Sequence, residues 1–530
     1  MHQERNILFL LSDEHSFRFA NYLPREKGGE RVLTPTFDKL ASQATVFEQT
    51  YCAVPLCVPS RMCLMTGLEA QECGAIDNGS VLDPALDTMP KMLARAGYET
   101  ALVGKMHFRG SNQFHGFQHR PYGDLVGSGI HQWEDRAWPS AAGSPAMHKA
   151  NSYGISDNLA ERTAKAGRTR IPESLICDRM VAEESVAFLR NYKASGSERP
   201  WFLCASFSRP HFPMTAPPRF ADRFRATNIT EPFVPKSGAS YDHPVSRLIR
   251  QGFETGRIDY DEMMNGRAGY FACISYLDEI IGDMLARLEA SDLLDNTIIV
   301  YASDHGEMAG ELGTWWKSGW YEGCCRVPLL VSTPEQRRSQ QPRRNIATAV
   351  SLVDLAPTLA ALGGGTPLSP VTGIDLSPAI VGSAEVPDRP IFCDHLNVRW
   401  GPGSEFRSIR LGNWKYVAFR DHDGLLFDLS TDLYESENLI DTAPPSLLAE
   451  LQKHALDYDR INGPVARRQA ELRAKYPLQL AAGATPSQFL LDEGKLVGAD
   501  VTIYKPAIIT EDPSNYFADW PATASERLQE

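Results

Sequence analysis

Five short groups of residues in this chain combine charge, imidazole and thiol in patterns that imply chemistry. The most informative is Cys57-Val58-Pro59-Ser60-Arg61, which runs on through Met62-Cys63-Leu64-Met65-Thr66 to Gly67. Pro59 suits the first helical position, where its missing N–H costs nothing and its φ is already helical. Residue 57 then sits at a helix N-terminus, where free N–H groups and the helix dipole favour anionic oxygen. Arg61, about one turn further on, aims a permanently charged fork at the same spot. The other groups are Asp13-Glu14, Gly104-Lys105-Met106-His107, Arg209-Pro210-His211 and Asp304-His305-Gly306-Glu307. Together they offer carboxylate and imidazole to a cation and fixed positive charge to an anion.

Each of these last four groups follows a short apolar run, at 7–11, 100–103, 201–206 and 297–302. The runs scarcely alternate and have polar flanks, as in parallel strands buried on both faces. Helical patterns lie between them. The clearest covers 269–288, with Tyr270, Ile274, Leu277, Ile281, Leu285 and Leu288 three or four apart. Strands alternating with helices imply an α/β domain. Open α/β sheets bind ligands beyond the carboxyl ends of their strands. All four strands deliver charge or imidazole to that edge, a convergence that core packing does not explain.

At 530 residues the chain implies two or more domains. Its 43% hydrophobic and 22% charged content are those of an ordinary soluble globular protein. A net charge of −13 argues against nucleic acid or an anionic membrane as partner. It also means that local positive charge must draw in any anion. The apolar run at 7–11 is too short for a signal peptide, and no stretch approaches the length of a bilayer span. The ten cysteines are scattered, with Cys324-Cys325 adjacent, and show no disulfide framework. A cytoplasmic location is the expectation. Cys63, Cys73 and the adjacent pair read as buried thiols; His115 and His119 read as structural.

Residues 1–380 read as one catalytic domain, with irregular insertions at 110–200 and 213–258 of the kind that form binding loops or lids. From 381 to 480 the pattern changes to short strands at 390–393, 408–411, 414–418 and 425–429, followed by helical segments over 445–475. That is a smaller α+β domain with an antiparallel sheet. Residues 481–530 read as a tail, an arm onto a neighbouring subunit of a homo-oligomer or a cover over the site. Trp315, Trp316 and Trp320 surround Lys317, and Trp133 and Trp138 lie in the first insertion. Such aromatics cage a quaternary ammonium, stack on a sugar or aryl ring, or simply pack the loop.

With these residues in view, the chain resembles the type I, formylglycine-dependent sulfatase family of the alkaline phosphatase superfamily. The likeness rests on Cys57 to Gly67, Gly104-Lys105-x-His107, Pro210-His211 and the block from Ser303-Asp304-His305-Gly306-Glu307-Met308 to Lys317. It continues through Arg326-Val327-Pro328-Leu329, Asp354-Leu355-Ala356-Pro357-Thr358, Trp414-Lys415-Tyr416 and Leu426-Phe427-Asp428-Leu429. Within the family, Gly104-Lys105-Met106-His107-Phe108, Asn78 and Asp304-His305 are most similar to choline sulfatases and phosphonate monoester hydrolases.

The resemblance implies a large alkaline-phosphatase-like domain, its central, mostly parallel sheet sandwiched by helices, and metal-dependent hydrolysis of small-molecule sulfate monoesters. It implies that a formylglycine-generating enzyme oxidises Cys57 to formylglycine (3-oxoalanine), whose hydrate attacks sulfur to give a covalent sulfated enzyme. One divalent cation, Ca²⁺ or Mn²⁺ with Mg²⁺ also compatible, would be held by Asp13, Asp304, His305 and the modified Cys57. Arg61 and Lys105 would orient the hydrate, and His107 would deprotonate its second hydroxyl. His211 and Lys317 would grip the ester, with one of the two helping the leaving oxygen depart, and Asn78 would contact a non-bridging oxygen. Many sulfatases have two adjacent Asp where this chain has Asp13-Glu14, and Asn where it has His305. Glu14 therefore either reaches the metal or stands outside its ligands. The same site would also serve phosphonate monoesters or phosphodiesters. A chain whose Cys57 is never converted would instead be a metal-bound binding protein.

Overall fold

A computed structural model describes residues 5–123, 163, 166–169, 173–367 and 371–476. The strands begin with β1 (Asn6–Asp13), β2 (Thr45–Tyr51), β3 (Glu99–Gly104) and β4 (His119–Gly123). Next come β5 (Gly167–Arg168), β6 (Trp201–Pro210) and β7 (Thr215–Ala216), β5 and β7 forming a small pair of their own. β8 (Thr297–Ser303), β9 (Arg326–Ser332), β10 (Arg344–Ile346) and β11 (Val350–Ser351) complete a nine-stranded sheet. Its order is β10-β2-β9-β8-β1-β6-β3-β4, with β11 also on β2.

The four apolar runs lie inside β1, β3, β6 and β8. These strands are adjacent at the centre of the sheet and mutually parallel. Every residue of β6 and β8 is buried, which is why they read as unbroken apolar runs. β9 runs antiparallel to both its neighbours. Its Pro328 lies where the pairing with β2 slips between Phe47 and Thr50, so the absent N–H falls in a break of the ladder.

Four helices matter for the site: α1 (Cys57–Thr66), α2 (Cys177–Ala194), α3 (Tyr260–Glu289) and α4 (Tyr458–Lys475). Helix α3 buries Leu277, Ile280, Ile281 and Met284 against Leu8, Leu10, Leu203 and Ile299 of the sheet. It starts earlier than the periodicity predicts because Asp259 and Glu262 form a capping box ahead of it. Helix α2 corrects the reading of 110–200 as irregular: Val181, Ala182, Val186 and Leu189 bury its apolar stripe on the same face. Trp133, Trp138 and the tail at 481–530 lie outside the described residues.

A second sheet, β12 (Ile391–His395), β13 (Phe406–Leu411), β14 (Trp414–Phe419) and β15 (Leu425–Asp428), is antiparallel throughout, as expected. Phe406, Val417, Phe419 and Phe427 join the apolar cluster that holds Phe9 and Leu11 of β1. Helix α4 then returns to the loop after α1. Gln469 hydrogen-bonds Gly74 and both backbone groups of Val81, and Arg473 reaches Gly79 and Asp77. Among the described residues no helix is long and apolar enough to cross a membrane.

Candidate active site

The carboxyl ends of the central strands deliver Asp13 from β1, Lys105 after β3, His211 after β6, and Asp304 and His305 after β8. Helix α1 brings Cys57. It begins at Cys57, so Pro59 is its third residue rather than its first, still within the turn whose N–H groups lack helical partners. One ligand atom each from Asp13, Cys57, Asp304 and His305 lies within 4.8 Å of the others, and all four residues are buried. Cys57 Sγ is 3.2 Å from His305 Nε2 and 3.8 Å from Asp13 Oδ1. His305 Nε2 stands 3.8 Å from Asp13 Oδ1 and 3.7 Å from Asp304 Oδ1. His305 Nδ1 donates to the Gly306 carbonyl at 3.0 Å, which turns Nε2 toward the cluster. Oxygen donors and one imidazole at these separations fit a divalent cation of the Ca²⁺, Mg²⁺ or Mn²⁺ kind.

Arg61 ties this edge together from beneath. Its Nε donates to Asp304 Oδ2 at 2.7 Å and Nη2 to Asp13 Oδ2 at 3.0 Å. Nη1 donates to the Lys105 carbonyl at 2.6 Å and to Ser206 Oγ at 3.0 Å. Lys105 Nζ adds a 2.5 Å contact to Asp13 Oδ2. Burial pushes Asp13 up, but Lys105, then His211, Arg61 and Lys317, outweigh it and hold the carboxyl well below its usual range. The Asp13 oxygens are therefore ionised. Cys57 goes the other way: burial, then Asp13, pushes its thiol up to about 12.

Glu14 faces a second group. Lys317 Nζ reaches its Oε2 at 2.9 Å and His211 Nε2 stands 3.3 Å from the same oxygen. His211 Nδ1 bonds the Phe212 carbonyl at 2.8 Å. Burial, opposed by Lys317 and reinforced by Glu307, pushes the Glu14 carboxyl up to about 8. Glu14 is not one of the four clustered residues, but a ligand atom of it lies within 4.8 Å of one from Asp13 and one from His211, and it contacts both groups expected to hold an ester.

Asn78 Oδ1 accepts the Val58 N–H at 3.0 Å, so this atom braces the turn at Cys57. Arg109, which the sequence analysis missed although it lies two residues after His107, donates Nη2 to His107 Nε2 at 3.1 Å. Its Nε donates to the Asn78 carbonyl at 2.6 Å. His115 is buried, and burial pushes it down to about 3; His119 pairs with Glu99, so both sit in structural roles. Trp315, Trp316 and Trp320 are buried in the core, Trp316 between Phe212 and Phe253.

Acid, imidazole and thiol around one point, ringed by Arg61, Lys105 and Lys317 at the strand ends of an α/β sheet, define an alkaline-phosphatase-like ester hydrolase. The sulfatase family matches residues 5–365 of the chain, which belongs to that family and is a sulfuric ester hydrolase. It is 32% identical over 486 residues to the choline-sulfatase of Rhizobium meliloti (strain 1021), covering 88% of this chain and 89% of the relative. To the arylsulfatase K of Canis lupus familiaris it is 26% identical over 500 residues, covering 89% and 86%. The fold is shared with the phosphonate monoester hydrolase of Agrobacterium radiobacter, with a TM-score of 0.66, 22% identity and coverage of 89% of this chain and 96% of that one.

Proposed function

We propose that this sulfatase works through a formylglycine made from Cys57 and one divalent cation held by Asp13, Asp304, His305 and the modified residue 57. The observation that carries the reading is the convergence of those four buried groups within 4.8 Å. The state of Cys57 supports it, because a thiol pushed up to about 12 is a poor nucleophile and an aldehyde hydrate needs no thiolate. When bound, the cation polarises the oxygens it touches and lowers the pKa of a coordinated hydroxyl; Ca²⁺ or Mn²⁺ is the expected ion.

The chain's own residues do the rest. Arg61 holds Asp13 and Asp304 in register, and with Lys105 it keeps Asp13 ionised. Lys317 and His211 balance the charge that develops on the ester oxygens as the alcohol leaves. Glu14 holds those two in place. His107 takes the proton of the second hydroxyl, and the Asn78 amide steadies a non-bridging oxygen. The substrate is a small sulfate monoester, and a formylglycine-generating enzyme is the maturation partner. The described cysteines, all buried and unbridged, support a cytoplasmic setting.

Mass spectrometry of the tryptic fragment ending at Arg61, from active protein matured with a formylglycine-generating enzyme, tests this directly. An aldehyde at residue 57 is expected; an intact thiol in fully active enzyme would overturn the mechanism. Turnover of aryl sulfate should exceed that of phenyl phosphonate. The reverse order would assign the site to phosphonate monoesters, which are nearly isosteric.

A further inference from the structure

The loop from Gly306 to Ser318 carries Lys317 to the site on strained backbone. Ala309, Leu312, Trp316 and Ser318 are non-glycine residues at φ 47°, 53°, 64° and 70°. Left-handed backbone disfavours such side chains and persists only where the surroundings enforce it. Lys317 stands between the last two, so its direction depends on whatever holds that pair. Ser318 N–H bonds the Pro55 carbonyl at 2.9 Å, and Met308 N–H bonds the Trp316 carbonyl at 3.0 Å. Side chains add to this: Trp400 Nε1 donates to the Ser318 carbonyl at 2.8 Å and Cys324 Sγ to the Trp316 carbonyl at 3.4 Å, and a third spans the loop. Glu307 is 1% exposed, and its Oε1 accepts both the Ala309 N–H at 2.7 Å and the Trp316 N–H at 2.5 Å. One oxygen therefore bridges the two arms of the loop across its neck, one bond away in sequence from Lys317. Packing alone does not account for this carboxylate, since an apolar side chain fills the same volume without the cost of desolvating charge.

We propose that Glu307 is a positioning residue whose carboxylate clamps the neck of the 306–318 loop and so sets where the Lys317 ammonium stands against the ester. The inference rests on the role given to Lys317 above. Glu307 acts through Lys317 and touches no substrate.

The test is steady-state turnover of an aryl sulfate by metal-loaded enzyme of measured aldehyde content, in Glu307→Gln, Glu307→Asp, Glu307→Ala, Lys317→Ala and the double variant Glu307→Ala/Lys317→Ala. Glu307→Gln keeps an oxygen for both N–H groups and should stay close to wild type. Glu307→Asp, shorter by a methylene, and Glu307→Ala should each lose about 10²-fold in kcat, the scale of a misplaced catalytic group. The double variant should be no slower than Lys317→Ala alone, because a clamp has nothing left to place. Losses that multiply would overturn the proposal. So would a folded Glu307→Gln as slow as Glu307→Ala. Should Glu307→Ala fail to fold, the Gln and Asp variants decide: activity kept by Asp and lost by Gln would mean that charge matters, not the clamp. Wild-type turnover by Lys317→Ala would instead sink the role of Lys317 itself.

Discussion

Two buried clusters in this molecule use nearly the same residue types and do different things. At the sheet edge, Asp13, Glu14 and Asp304 meet Arg61, Lys105 and Lys317. Where the second sheet meets the first, Glu322 and Glu435 meet Lys415 at 2.9 and 2.8 Å, with Tyr51 Oη 2.9 Å and Arg326 3.7 Å from Glu322. In this second cluster the charges are aimed at one another. At the edge, oxygen, nitrogen and sulfur are aimed at a common point, and the cations stand behind them. What distinguishes a reactive centre from a structural knot is therefore convergence on space, not the presence of buried charge. Lys415 illustrates this: it belongs to a motif shared with the sulfatases, yet the structure places it in the knot.

The comparison can be broken by mutation. The largest expected effect is at the edge: Cys57→Ala should cut turnover by roughly 10⁴-fold or more and leave the melting temperature nearly unchanged. Residual activity near wild type would remove Cys57 from the mechanism. Lys415→Met should show the opposite signature, a loss of about 3–5 kcal/mol of stability from two carboxylates left buried without their cation. The folded fraction should keep its kcat; a fall in kcat with unchanged stability would erase the distinction between the clusters.

The smallest effect sharpens the picture of the knot through pH. Burial raises Glu322, but Lys415, Arg326 and Arg410 outweigh it and bring the carboxyl down from 4.5 to about 2. Its stabilising contribution is present above pH 4.5 and is lost as pH falls through 2. Burial, with Glu322 adding to it against Lys415, raises Glu435 from 4.5 to about 7. The sign is reversed: its contribution is present below pH 4.5 and is lost as pH rises through 7. Glu435→Gln should therefore flatten the decline of the urea midpoint between pH 4.5 and 8. A decline as steep as wild type would show that Glu435 does not cause it.

The four central strands and the residues at their ends were legible because a parallel strand buried on both faces is a local apolar run, and a polar residue at its end stands out. β9 was not read as a strand, for Pro328 contradicts the local pattern and only the slipped pairing with β2 accommodates it. Helix α2 was hidden by its length of charged surface, with Glu183, Arg190 and Lys193 between its apolar positions. The roles of Arg109 and Glu307 were out of reach for another reason. Both depend on which backbone groups a side chain meets, and that is settled by turns whose left-handed residues carry no sequence signal.

The grip of α4 on the loop behind Cys57 also has a temporal side. Gln469 reaches Gly74 across 395 positions of chain. At about 5–20 residues per second, a ribosome takes on the order of 20–80 s to cover that distance. Cys57 is only 2% exposed in the finished fold. Until α4 emerges, the 74–81 loop behind that turn lacks these bonds. The order in which the chain is made would thus set a window for the conversion of Cys57 proposed above, and α4 would close it.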